Sequence, residues 1–147
     1  MSTKALTGSG GLQVNVVTPQ GPVVDAKTDA ITAPGEAGEF EVLAGHIPFL
    51  TAMHSGVLTL GENMKKQVYA VGAGFLRVDH EGSVEVLVER AIAAEDVDVD
   101  AVGAELKELR PQVEGWKDAA NGEYLNLKAK YDWARAQIDA NAATRLN

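Results

Sequence analysis

Between residues 12 and 92 the chain offers no stretch long enough and suitably patterned for a helix. It reads instead as short β-branched runs, LQVNVVT, PVVDAKTDAITA, EFEVL, GVLTL, KQVYAVG, GFLRVDH and SVEVLVERAI, interrupted by Gly, Pro and Asp. Runs of this kind recurring every ten residues or so predict antiparallel strands joined by tight turns, and hence a sandwich or barrel. In the last run Val84, Val86 and Val88 fall on one face and Glu85 and Glu89 on the other, so this strand has one buried and one wet side. Leu87 interrupts the alternation. Residues 79–83 (DHEGS) predict a hairpin connection, with Gly82 free to take a positive φ.

The pattern changes at Ala93. Farther along, apolar residues recur at steps of three and four: Val102, Leu106, Leu109, Val113 and Trp116, then Tyr124, Leu127, Tyr131, Ala134 and Ile138. These are helical stripes. Asp98 or Asp100 can cap the first helix, and Asn121 with Gly122 predicts a stop and a tight turn between the two. The stripes are therefore expected to form the seam of an antiparallel helical hairpin. Pro111 conflicts locally, because it cannot donate to the Lys107 carbonyl. In a helix interior this costs about 3 kcal/mol, so a kink or break is expected at Arg110. Alanines fill much of the second stripe, and a hairpin burying so little apolar area needs a second surface to dock on. The expected organisation is a flexible tail over residues 1–11, a β-sandwich over 12–93 and a two-helix hairpin over 94–147.

Composition removes several functions. A net charge of -8, with 13 Lys and Arg against 21 Asp and Glu, supplies no cationic surface for a phosphate backbone, so nucleic acid is not an expected partner. The absence of cysteine excludes disulfides, thiolate zinc sites and a cysteine nucleophile. No apolar run reaches the 18 or so residues of a spanning helix, and MSTKALTGSGG lacks the apolar core of a secretory signal. The chain is expected to stay in the compartment where it is made.

Polar chemistry concentrates in residues 34–49, PGEAGEFEVLAGHIPF, where Pro34 and Pro48 fix the chain direction at either end. Glu36, Glu39 and Glu41 give the stretch a negative rim, and His46 adds the one side-chain type that changes charge near neutral pH. Paired carboxylates serve glycoside hydrolysis, but no companion nucleophile accompanies them here. His46, His54 and His80 stand 8 and 26 positions apart, which is not the short local spacing of a zinc site, and no metal or other cofactor is expected. Gly72 and Gly74 echo a dinucleotide fingerprint but join strand to strand, whereas phosphate binding uses the N-terminus of a following helix. The residues alone leave two readings, a docking platform or a carboxylate site.

The order of parts, together with PGEAGEFEVLAGHIPFLTAMHSGVLTL, VGAGFLRVDHEGSVEVLVERA and EYLNLKAKYDWARAQI, resembles the epsilon-subunit family of bacterial F-type ATP synthases, whose mitochondrial counterpart is called delta. The resemblance implies a sandwich of about ten strands in a non-catalytic central-stalk subunit that couples the c-ring to the gamma subunit and turns with the rotor. Glu36, Glu39, His46 and Pro48 would face the c-ring, while Tyr69 and Phe75 would face gamma. The hairpin would be compact on the sandwich or extended toward the alpha and beta subunits, where it inhibits ATP hydrolysis. The complex would sit peripherally on the cytoplasmic face of the bacterial plasma membrane. Some members of the family bind ATP through an Arg near the start of the first helix. Gly103 stands at that position here, so no nucleotide site is implied. The alternative is an independent β-sandwich protein-binding module with a helical appendage.

Overall fold

The computed structural model describes residues 4–6, 11–61, 66–118 and 120–145, the first three as backbone only. Its strands are β1 (Lys4–Leu6), β2 (Leu12–Thr18), β3 (Gly21–Thr28), β4 (Ala30–Gly35), β5 (Gly38–Leu43), β6 (Phe49–Met53), β7 (Gly56–Leu60), β8 (Gln67–Val71), β9 (Gly74–Val78), β10 (Ser83–Val88) and β11 (Ala91–Ala93). A 3-10 turn, Ala94–Asp96, leads into α1 (Val99–Glu114) and α2 (Gly122–Ala143). The predicted class, a β-sandwich followed by a helical hairpin, is what forms. Among the described residues no helix is long and apolar enough to cross a membrane.

The strands run β1-β3-β2-β10-β9-β6-β4-β7-β8-β11 across the sheet, with β5 paired to β4. A single pair, Gly35 with Met53, joins β6 to β4. The sheet folds over there, and its two halves enclose Val14, Val16, Ile31, Leu58, Leu76, Val84 and Val86, all fully buried. The predicted turn over residues 79–83 forms: Gly82 takes φ +85°, and the Asp79 carboxylate accepts the Glu81 and Ser83 N–H groups at 2.8 and 3.0 Å.

The first correction concerns the tail. Lys4–Leu6 lies parallel to Val24–Ala26 on the outer edge of β3, where unpaired backbone groups of an edge strand offer a template for pairing. The segment expected as a flexible tail therefore adds a strand, while residues 1–3 and 7–10 lie outside the described residues.

The second correction concerns α1, which passes through Pro111 instead of breaking at Arg110. Pro111 stands in the last turn, where it removes only the bond to the exposed Lys107 carbonyl, a group that water can satisfy. The helix stops at Glu114, with the Gly115 N–H donating to the Pro111 carbonyl at 2.9 Å. Asn121 and Gly122 thus do not end the first helix. The Asn121 side chain caps the second, accepting the Glu123 N–H at 2.8 Å, as Asp98 caps α1 by accepting from Ala101 at 3.1 Å. Trp116 falls outside α1, and its ring meets Tyr124 at 6.3 Å between centroids.

The seam buries Val102, Leu106, Leu109 and Ala134, flanked by Tyr131 and Ile138. The hairpin's second surface is the sandwich itself. In β8, Tyr69 and Val71 point into the sandwich core, while Val68 and Ala70 point outward and are covered by Ala136, Ala140 and Trp133 of α2.

Candidate functional site

Residues 34–49 make a two-residue turn, a strand and a loop. Glu36 and Ala37 turn the chain between β4 and β5, and Gly38 has φ +128°, a conformation that L side chains rarely adopt. Along β5, Phe40 packs toward the core and Val42 is buried, which leaves Glu39, Glu41 and Leu43 outward and exposed. β5 pairs only with β4 among the described strands, so its other edge is open.

The loop after β5 is held by aromatic contacts. Phe49 lies edge-on to Phe40 at 5.7 Å and meets the His46 ring at 4.8 Å with the planes tilted. His46 Nδ1 donates to the Ile47 carbonyl at 2.7 Å, which leaves Nε2 as the ring nitrogen free to meet a partner. Ile47 and Pro48 project into solvent. A shallow cleft of about 390 Å³ is lined by His46, Ile47, Pro48, His80, Glu81 and Gly82, and none of the three glutamates of the 34–49 stretch lines it.

The four residues expected to dock together do not form one cluster. Glu36 sits in the turn at one end of β5 and His46 beyond the other, with a strand about 17 Å long at 3.4 Å per residue between them. The arrangement is an exposed line of carboxylates ending in a histidine and an apolar tip. It has no enclosure in which an acid and a base act on one bond. Among the described residues no group of three or more His, Cys, Asp or Glu is placed to hold a metal.

A second surface lies on the outer face of the other half of the sheet. One cross-strand row is Ala52, Phe75, Leu87 and Val17, and the next is Leu50, Arg77, Glu85 and Asn15. Arg77 and Glu85 are ion-paired at 2.6 Å. Leu50, Phe75 and Leu87 are 66%, 55% and 50% exposed, and Phe75 and Leu87 border an apolar groove of about 670 Å³. β9 and β10 approach closely because residue 74 is glycine: a Cβ there would lie 1.9 Å from the Leu87 carbonyl oxygen. Gly74 therefore serves strand packing, and Gly72 lets the link between β8 and β9 lie against Glu89 and Arg90.

Phe75 is thus available as a contact, and Tyr69 is not. Only 3% of Tyr69 is exposed; it packs in the core and its hydroxyl donates to Gln67 Oε1 at 2.8 Å. Burial, and secondarily the Glu95 charge, push its phenol above the usual range. It is corrected from an expected surface anchor to a core residue, because the β8 run is buried on both faces. Sequence reasoning missed Leu50 and Leu87. The available signal was Leu87 itself, an apolar residue at an outward register position. Ile47, 74% exposed, was also passed over.

Known proteins resemble this chain in sequence and in fold. Residues 11–94 match the family described as ATP synthase, Delta/Epsilon chain, beta-sandwich domain. The ATP synthase epsilon chain of Nitratidesulfovibrio vulgaris (strain Hildenborough) is 38% identical over 126 residues, covering 86% of this chain and 85% of that one. The epsilon chain of Bacillus pumilus is 33% identical over 137 residues, covering 92% and 95%. Among solved structures, a chain in the Euglena gracilis mitochondrial ATP synthase, in an assembly of OSCP, F1 and c-ring, superposes with a TM-score of 0.71 at 21% identity over 98% of this chain and 89% of its own. A chain of the Tetrahymena thermophila central stalk and c-ring gives 0.60 at 17% identity over 92% and 99%. At these identities the two structures establish the shared fold.

Proposed function

The chain belongs to the ATP synthase delta/epsilon family, whose epsilon chain is a non-catalytic subunit, and on that premise we propose that it couples the c-ring to the gamma subunit in the rotor. The observation that carries this reading is the unequal treatment of the sheet's two outer faces. Strands β7, β8 and β11 are roofed by α2, whereas the face of β6, β9 and β10 is left with Leu50, Phe75 and Leu87 in solvent. A contiguous apolar patch rimmed by charge marks a protein interface. This face meets gamma, with Phe75 and Leu87 as its centre.

The line from Glu36 and Glu39 to His46, Ile47 and Pro48 meets the polar loops of the c-ring. Its elongated shape suits a contact spanning neighbouring ring subunits at once better than a grip on one. The subunit is peripheral, on the cytoplasmic face of the bacterial plasma membrane.

Residues 94–147 act as a latch between two packings of similar free energy. In one the hairpin lies on the sandwich; in the other it extends toward the alpha and beta subunits and blocks ATP hydrolysis. The alanine-rich contact of α2 with β8 supports this, since such a surface holds the hairpin weakly. No nucleotide holds the compact form, because Gly103 supplies no charge for a phosphate. The test is co-purification of the intact chain with gamma from a mixture of subunits; a chain that does not bind gamma is not a rotor subunit.

A further inference from the structure

The contact between α2 and the sandwich is uneven in strength along its length. Its middle is Ala136 and Ala140 on Val68 and Ala70, side chains that permit close approach while burying little apolar surface. Its two ends carry the specific contacts. At the first, the Arg90 guanidinium lies 5.2 Å from the centroid of the half-buried Trp133 ring. At the other, Asn141 Nδ2 donates to the Ala94 carbonyl at 3.2 Å. Eight residues separate Trp133 from Asn141, two turns and about 12 Å along one face of the helix.

Arg90 is itself held in place from the sandwich side. Its carbonyl accepts the Gly72 N–H at 2.8 Å, and its stem passes over Gly72, where a Cβ would approach Arg90 Cγ to 3.2 Å. The guanidinium thus projects from the connection between β10 and β11 and reaches over the helix.

We propose that Arg90 closing over Trp133, with Asn141 on the Ala94 carbonyl, is the clasp that sets how often the hairpin leaves the sandwich. Each contact joins a group on the sandwich or its exit turn to a group on α2, so both break on opening. The Arg90 head is exposed and its removal leaves the sandwich core untouched. A cation over a partly exposed indole shifts such an equilibrium about two- to fivefold. This inference deepens the latch reading and rests on it for its biological meaning, but the clasp is measurable on the isolated full-length chain.

The experiment is hydrogen exchange of the α2 amides in wild type, Arg90→Gln, Arg90→Lys, Asn141→Ala and the Arg90→Gln/Asn141→Ala double variant. Arg90→Gln and Asn141→Ala each speed α2 exchange about two- to fivefold, the double variant shows roughly the product, and Arg90→Lys retains most of the protection. Amides of β2, β9 and β10 keep their wild-type rates. Unchanged α2 exchange in Arg90→Gln overturns the proposal. So does equal acceleration by Lys and Gln, or acceleration that spreads evenly through the sandwich. Failure of the latch reading looks different: removing residues 96–147 would leave ATP hydrolysis by the assembled enzyme unchanged, whatever the exchange rates of α2.

Discussion

Ala140 is fully buried beside Val68 and Ala70, on the face of α2 turned away from the hairpin seam. Replacing it with leucine adds three carbon atoms to a side chain that is already fully buried in this contact. Overpacking of this kind costs about 1–3 kcal/mol, and the strain falls on the α2 contact with the sheet because undocking relieves it. Neither the sandwich core nor the Val102, Leu106 and Leu109 seam shares that contact. The undocked fraction should therefore rise by about 5- to 150-fold, at 1.4 kcal/mol per factor of ten, while the sandwich keeps its own stability. Hydrogen exchange of the isolated chain reads the first effect, as faster exchange in α2 alone. In the assembled enzyme the latch reading then gives a definite sign: Ala140→Leu favours the extended form and lowers ATP hydrolysis. Removing the hairpin raises it. If Ala140→Leu leaves α2 exchange at the wild-type rate, or raises hydrolysis as removal does, the reasoning from alanine packing to latch position is refuted.

Removing residues 96–147 should preserve assembly and proton coupling while increasing ATP hydrolysis, and unchanged hydrolysis would make the hairpin a purely structural element. Calorimetry of the isolated chain with millimolar ATP should give no heat of binding, since Gly103 occupies the position of the arginine; a clear isotherm would restore a nucleotide site. Hydrogen bonds from the backbone N–H groups of Ser83 and Glu81 hold the Asp79 carboxyl below its ordinary range. Its folded pKa is depressed, so its stabilisation is present above the unfolded carboxylate value of about 4 and is lost as pH falls through the lower folded value. Asp79→Asn should flatten the loss of stability below about pH 4, read as urea midpoints; an acid limb identical to wild type would deny the turn that role.

The sandwich was legible because its strands are short, β-branched and punctuated, and the hairpin because its seam repeats at steps of three and four. Where the structure departs from the sequence reading, one local signal was masked by another. Tyr69 lies in the QVYAV run, which is buried on one face by the core and on the other by α2, so no alternation marked which way it pointed. Leu87 does not break the alternation of β10. The pattern continues through it, with Leu87 outward and exposed between the buried Val86 and Val88. The docking face of α2 escaped notice because alanine and the buried Gln137 carry little hydrophobic signal. Only the position of Val68 and Ala70 beneath them gives those residues meaning. In residues 34–49 composition gave the groups but not their spread: the length of β5 separates Glu36 from His46. That distance turns an apparent active site into an edge.

The central claim is that the uncovered face of β6, β9 and β10 is the seat of the gamma subunit. The most direct measurement is the affinity of the intact chain for gamma, comparing wild type with Leu87→Glu and with Phe75→Glu. Both side chains are exposed, so the variants should fold with wild-type melting behaviour. A charge at the centre of a desolvated interface should cost at least 2 kcal/mol, a Kd raised about 30-fold or more for each. Binding at wild-type affinity in both variants would contradict the account and leave that face without its partner.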